Sequence, residues 1–119
     1  MSRRGERGAA ASVLVAGACL AVVSVFLAAG VLIQWFALIR DGEQAAELAA
    51  LAAVAAAVEG ESPCAAAAAS GTRNGAAVSG CVVRGSGRHV VVEISVLVAL
   101  DPSFPGGPRE ARRTATAGT

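Results

Sequence analysis

From Ala9 to Ile39 no residue carries a formal charge, and only Ser12, Ser24 and Gln34 are clearly polar. A helix that crosses a bilayer needs about 20 predominantly apolar residues, so the run predicts a transmembrane helix over residues 9–39. A secretory signal has a shorter apolar region, about 7 to 15 residues, ahead of a small-residue cleavage site. The nearest such site, Leu27-Ala28-Ala29 before Gly30, has Leu at its first position, and the apolar run continues past it. The pattern therefore favours a retained anchor over a removed signal.

Beyond Ile39 the period changes. Asp41 to Gly60 is rich in strong helix formers and has no internal Pro. Leu48, Leu51, Ala55 and Val58 recur at steps of three and four, an apolar stripe at helical spacing. Glu43 and Glu47 lie one turn apart on a face that suits water. Gly42 weakens a helix by about 1 kcal/mol without breaking it, so the expectation is one helix, continuous or kinked, from about Ala9 to Val58. Residues 40–60 would form an external helical stalk. The heptads are too few for a coiled coil.

Residues 61–119 read as a small domain with a short helix and a β-hairpin. Ser62 fits an N-cap, Pro63 the first helical turn and Gly71 a stop. Arg88 to Leu100 is the clearest strand: Val90, Val92, Ile94, Val96, Val98 and Leu100 share one face at period two, and β-branched residues dominate. A short strand, Cys81 to Arg84, precedes it across Gly85-Ser86-Gly87, a hairpin signal. The segment DPSFPGGP is a loop, after which Arg109 to Thr116 has the alternation of a third strand. The expected class is α+β: a long N-terminal transmembrane helix extending into an external helix, packed with an antiparallel sheet of two or three strands. The strand's apolar face is expected against the Leu48, Leu51 and Val58 stripe. Two or three strands on a helix can be stable where a lone hairpin is not.

Charge gives this layout a direction. Arg3, Arg4 and Arg7 precede the apolar run, whereas Arg40 is followed at once by Asp41, Glu43 and Glu47. The positive-inside bias then places a basic leader, residues 1–8, in the cytoplasm and everything beyond Arg40 outside it. The expected location is the cell membrane, single-pass, in contact with lipid. Trp35 and Phe36 fall near the outer end, where aromatic rings favour the interface; simple lipid or helix packing is the other reading of Trp35. The formal net charge is +1, with no clustered basic face, so a nucleic-acid partner is not expected. More than half of the 119 residues are apolar, yet few are aromatic. Such a core gains little from each buried side chain at roughly 25 cal/mol per Å².

Three cysteines bear on chemistry. Cys19 lies in the anchor. Outside the cytoplasm Cys64 and Cys81 would meet a disulfide-permissive compartment, and closing that loop is worth about 3 kcal/mol; two free thiols are the alternative. A metal site would have only His89 as a third ligand, with no CxxC spacing. His89 could share a strand face with Glu93, but no Ser–His–acid motif surrounds it. Gly85 to Gly87 lacks the pattern of a phosphate loop. No catalytic residue, cofactor or metal is expected, and the chain reads as a non-enzyme. Gly17 and Gly30 are too far apart for a GxxxG motif, but abundant small residues along the anchor permit close helix packing in lipid, hence a homo- or hetero-oligomer.

The stretches RRGERGAAASVLVAG, QAAELAALAAVAAA, SPCAAAA, NGAAVSGCVV and ARRTATAG together resemble the actinobacterial TadE-like proteins, in particular the group named for its helicase and secretion gene neighbourhood. The resemblance covers nearly the whole chain. It implies a pilin-like fold and a membrane-anchored pseudopilin-like component of a Tad/Flp tight-adherence pilus or related secretion system, whose partners are the other subunits. It also implies a prepilin-type processing site between Gly8 and Ala9. One position departs: the fifth residue after Gly8 is Val13, where the family's leader has Glu. Cleavage and filament entry by the usual route, or a plain retained anchor, both stay open. The alternative function is a small secreted or surface-displayed binding module whose N-terminal segment serves only for export.

Overall fold

The computed structural model describes residues 3–86 and 88–119. Met1 and Ser2 of the expected leader, and Gly87 of the expected turn, lie outside the described residues. In chain order the elements are α1 (Arg3–Val58), α2 (Pro63–Arg73), β1 (Ala77–Ser86), β2 (His89–Ala99) and β3 (Glu110–Gly118). The chain packs as two units, one up to Gln34 and the other from Trp35 to Thr119. Residues 40–60, read from the sequence as a stalk, belong to the second unit.

In the first unit α1 is helical throughout, and its large apolar side chains, from Val13 through Phe26 to Ile33, are exposed. The helix is long and apolar enough to cross a membrane. Such a surface is stable in lipid and costly in water. Ser24 returns its hydroxyl to the Leu20 carbonyl at 2.8 Å, which removes an unpaired polar group from an apolar surface.

The second unit is an α+β head. Its sheet has the order β1-β2-β3 and is antiparallel throughout. Alternation along β2 sends Val90, Val92, Ile94 and Val96 into the core, the last three without solvent contact. Against them lie Ala46, Ala49, Ala50 and Ala53 of α1 and Ala67 of α2.

The leucine stripe does not form this contact. Leu48, Leu51 and Val58 are 48%, 59% and 60% exposed, whereas Ala50 is 1% and Ala53 0% exposed. The expected packing face is thereby corrected: α1 turns its alanines to the sheet and its leucines away. The sheet brings branched Val and Ile side chains to the contact, so the facing helix surface must be flat for the layers to interdigitate at interior density. Gly42 takes this furthest. It is buried, and a Cβ placed there would lie 2.1 Å from Cγ2 of Val98.

Two further boundaries differ from the sequence reading. Ser62 caps α2 through its hydroxyl, which accepts the Ala65 N–H at 3.4 Å, with Pro63 beginning the helix. Gly71 is not the stop; α2 continues to Arg73 and ends on Asn74, whose backbone N–H bonds back to the Ser70 and Gly71 carbonyls. Strand β1 begins at Ala77, four residues before Cys81. Its early part pairs with β2 across an irregularity between Val78 and Gly80, and the Ser79 hydroxyl there donates to the Ser95 carbonyl. The hairpin is set by Ser86 pairing with His89 and by Gly85 at φ +82°. A Cβ at Gly85 would fall 2.1 Å from the His89 carbonyl oxygen, so only glycine fits. The third strand is present, with Thr114 opposite Ser95 and Ala115 opposite Ile94.

Candidate functional site

The site residues named from the sequence fall in both units. Gly8 and Ala9 are consecutive, exposed positions of α1, with open space around Gly8. Cys19 is a free, exposed thiol in the apolar run. Cys64 and Cys81 meet as a disulfide with Cα atoms 5.8 Å apart. Each is held by regular structure: Cys64 by the capped first turn of α2, Cys81 by its pairing with Ile94. The bridge fastens α2 to the central hairpin, and Ala67, one turn along, is fully buried in the same core. In so small a core, one covalent tie supplies a large share of the stability.

The polar groups of the head act locally. His89 sits at the start of β2 in the open. Glu93 faces Arg84 at 3.9 Å rather than His89, and both are too exposed for the pair to be worth more than about 1 kcal/mol. On the outer face of the sheet Ser95 is buried and shares a hydrogen bond with Thr114 at 3.1 Å. Among the described residues no three His, Cys, Asp or Glu side chains are grouped to hold a metal ion.

Two features of the head had no strong signal in the sequence. Arg113 lies on the inner face of β3 with Ala111, Ala115 and Ala117, and its Nε faces the Glu43 carboxylate of α1 at 3.4 Å. The only cue was an arginine in register with three alanines. A cleft lined by Glu43, Glu47, Arg112 and Arg113 runs beside this pair. The second feature is Trp35, whose indole N–H donates to the Pro102 carbonyl at 2.8 Å. Its ring lies 6.1 Å from that of Phe104, tilted by 54°. Packing within the head is thus an observed role of Trp35.

What the arrangement offers is a disulfide-tied platform on the same helix that carries the apolar run. Comparison with protein-family models, with curated proteins and with solved structures finds no match to this chain.

Proposed function

We propose that the chain is a non-enzymatic, membrane-anchored pseudopilin-like component of a Tad/Flp pilus or related secretion system, with its N-terminus in the cytoplasm and its head outside. The observation that carries this reading is α1 itself. One uninterrupted helix supplies both a segment suited to lipid and, in its last turns, the alanine face beneath the sheet. That is the plan expected of a pilin-like subunit. The Cys64–Cys81 bridge supports an oxidising compartment for the head. The outward Leu48, Leu51 and Val58 support packing against neighbouring subunits, since they leave an apolar helix face that the head does not use.

Deletion of the protein is the functional test. Loss of surface appendages or of secreted proteins is the expected phenotype, and an unchanged surface and secretome would count against the proposal. Mass spectrometry of the mature N-terminus then sorts the forms. Cleavage after Gly8 fits the pilin route despite Val13, and an intact start fits a plain anchor. Cleavage near Ala29 would instead make the chain a secreted or surface-displayed binding module.

A further inference from the structure

The loop between β2 and β3 is closed at its base and turned within. The Leu100 N–H donates to the Arg109 carbonyl at 2.9 Å, and the Gly107 N–H to the Phe104 carbonyl at 3.0 Å. Trp35 then ties this closed loop to α1 through the Pro102 carbonyl and the Phe104 ring. Trp35 lies in the last turn of the uncharged run, four residues before Ile39. The loop remains unpaired on its other side: Phe104 is 47% exposed, and Phe36, next along α1, is 65% exposed.

From these contacts we propose that the Leu100–Arg109 loop is a second membrane contact, with Phe104 seated among lipid carbonyls and headgroups at the level of Trp35. The inference rests on the anchor reading of α1 and adds to it a point 67 residues further along the chain. The occupant is the bilayer interface rather than another protein, because the loop is held to the last turn of the uncharged run, where an anchored chain nears the interface. The amphipathic ring of Trp35 suits that depth, and the apolar ring of Phe104 beside it gains by leaving water. Charge does not drive the contact, since Asp101 at one end of the loop and Arg109 at the other cancel. The aromatic ring carries it, so it should persist in both zwitterionic and anionic membranes. Two contacts instead of one would restrict the head's tilt on the bilayer.

Spin labels on the full chain in phosphatidylcholine nanodiscs test this, with the disulfide kept oxidised. Label on native Cys19 reports the apolar run. Label on Phe104→Cys and, separately, on Glu93→Cys, each in a Cys19→Ala background, reports the loop and the outer sheet face. The expected result is several-fold lower accessibility to a water-soluble nickel complex at position 104 than at 93, with higher accessibility to oxygen. A second label, the fluorophore NBD on Phe104→Cys in the same Cys19→Ala background with Trp35 kept, should show quenching by lipids that carry a nitroxide near the glycerol end of the chain. If position 104 matches 93 and the fluorophore is not quenched while Cys19 is shielded from nickel, the loop proposal falls and the anchor stands. If Cys19 is itself open to nickel, both fall.

Discussion

Exchanging two adjacent residues of α1 separates the packing observed from the packing that the hydrophobic stripe suggests. Leu51 is 59% exposed, close to the 62% of Leu32 on the unpacked stretch of α1, so the helix itself accounts for most of its shielding. Full burial of a leucine is worth about 1.5–3 kcal/mol, and the little that the head covers puts the loss in Leu51→Ala below about 1 kcal/mol. Alanine's higher helix propensity offsets a little of that. Ala50 is 1% exposed and shares a core with Val92, Ile94 and Val96, none of which contacts solvent. Ala50→Leu must force three extra carbons between layers already in contact, and overpacking of this kind typically costs about 1–3 kcal/mol. Amide hydrogen exchange at Val92, Ile94 and Val96, on the full chain in nanodiscs, reads the difference. Ala50→Leu should speed exchange by roughly 5- to 150-fold, and Leu51→Ala by no more than about 5-fold. The reverse order would show that the leucines face the sheet and that the described packing is wrong.

Single contacts in the head are open to the same treatment. Gly42→Ala gains about 1 kcal/mol of helix propensity but drives a Cβ into Val98. Net destabilisation is expected in denaturant unfolding, and Val98→Ala in the same chain should relieve it, a coupling that a double-mutant cycle isolates. Replacing Cys64 and Cys81 together by Ser should lower head stability by about 3 kcal/mol in the same assay, as expected for a loop of this length. The Glu43–Arg113 pair is about half exposed on both sides, so Glu43→Gln should cost less than about 1 kcal/mol. A larger loss would mean that the pair carries more of the helix–sheet contact than its exposure implies.

The parts legible in the sequence are those set by neighbours along the chain. Freedom from charge between Ala9 and Ile39, the period-two run through Val90 and Val96, and the Ser62-Pro63 start of α2 each need only local rules, and each has its counterpart in the structure. The helix face that packs needed more. A stripe of leucines reads as a core face because large residues usually make one, but the branched surface of β2 leaves room only for Ala49, Ala50 and Ala53. The apolar leucines thus remain outside the head. Strand β1 hid its first residues for a related reason. Gly80 has poor strand propensity and is strand because β2 offers it Ser95 as a partner, while Ser79, at the irregularity, reaches the same residue through its hydroxyl. The Trp35–Pro102 contact spans 67 residues, and no local pattern encodes it. Of the candidate site, the cysteine pair was readable as a pair; its attachment of α2 to the central hairpin was not.

The proposed function requires that the apolar run stay in the membrane while the head is oxidised beyond the cytoplasm. Fractionating cells with every free thiol trapped at lysis reads both at once. The chain should appear in the carbonate-resistant membrane pellet, with Cys19 alone open to modification on denaturation and Cys64 and Cys81 reactive only after reduction. A chain in the soluble fraction with all three thiols modified would rule out both the anchor and the oxidised head.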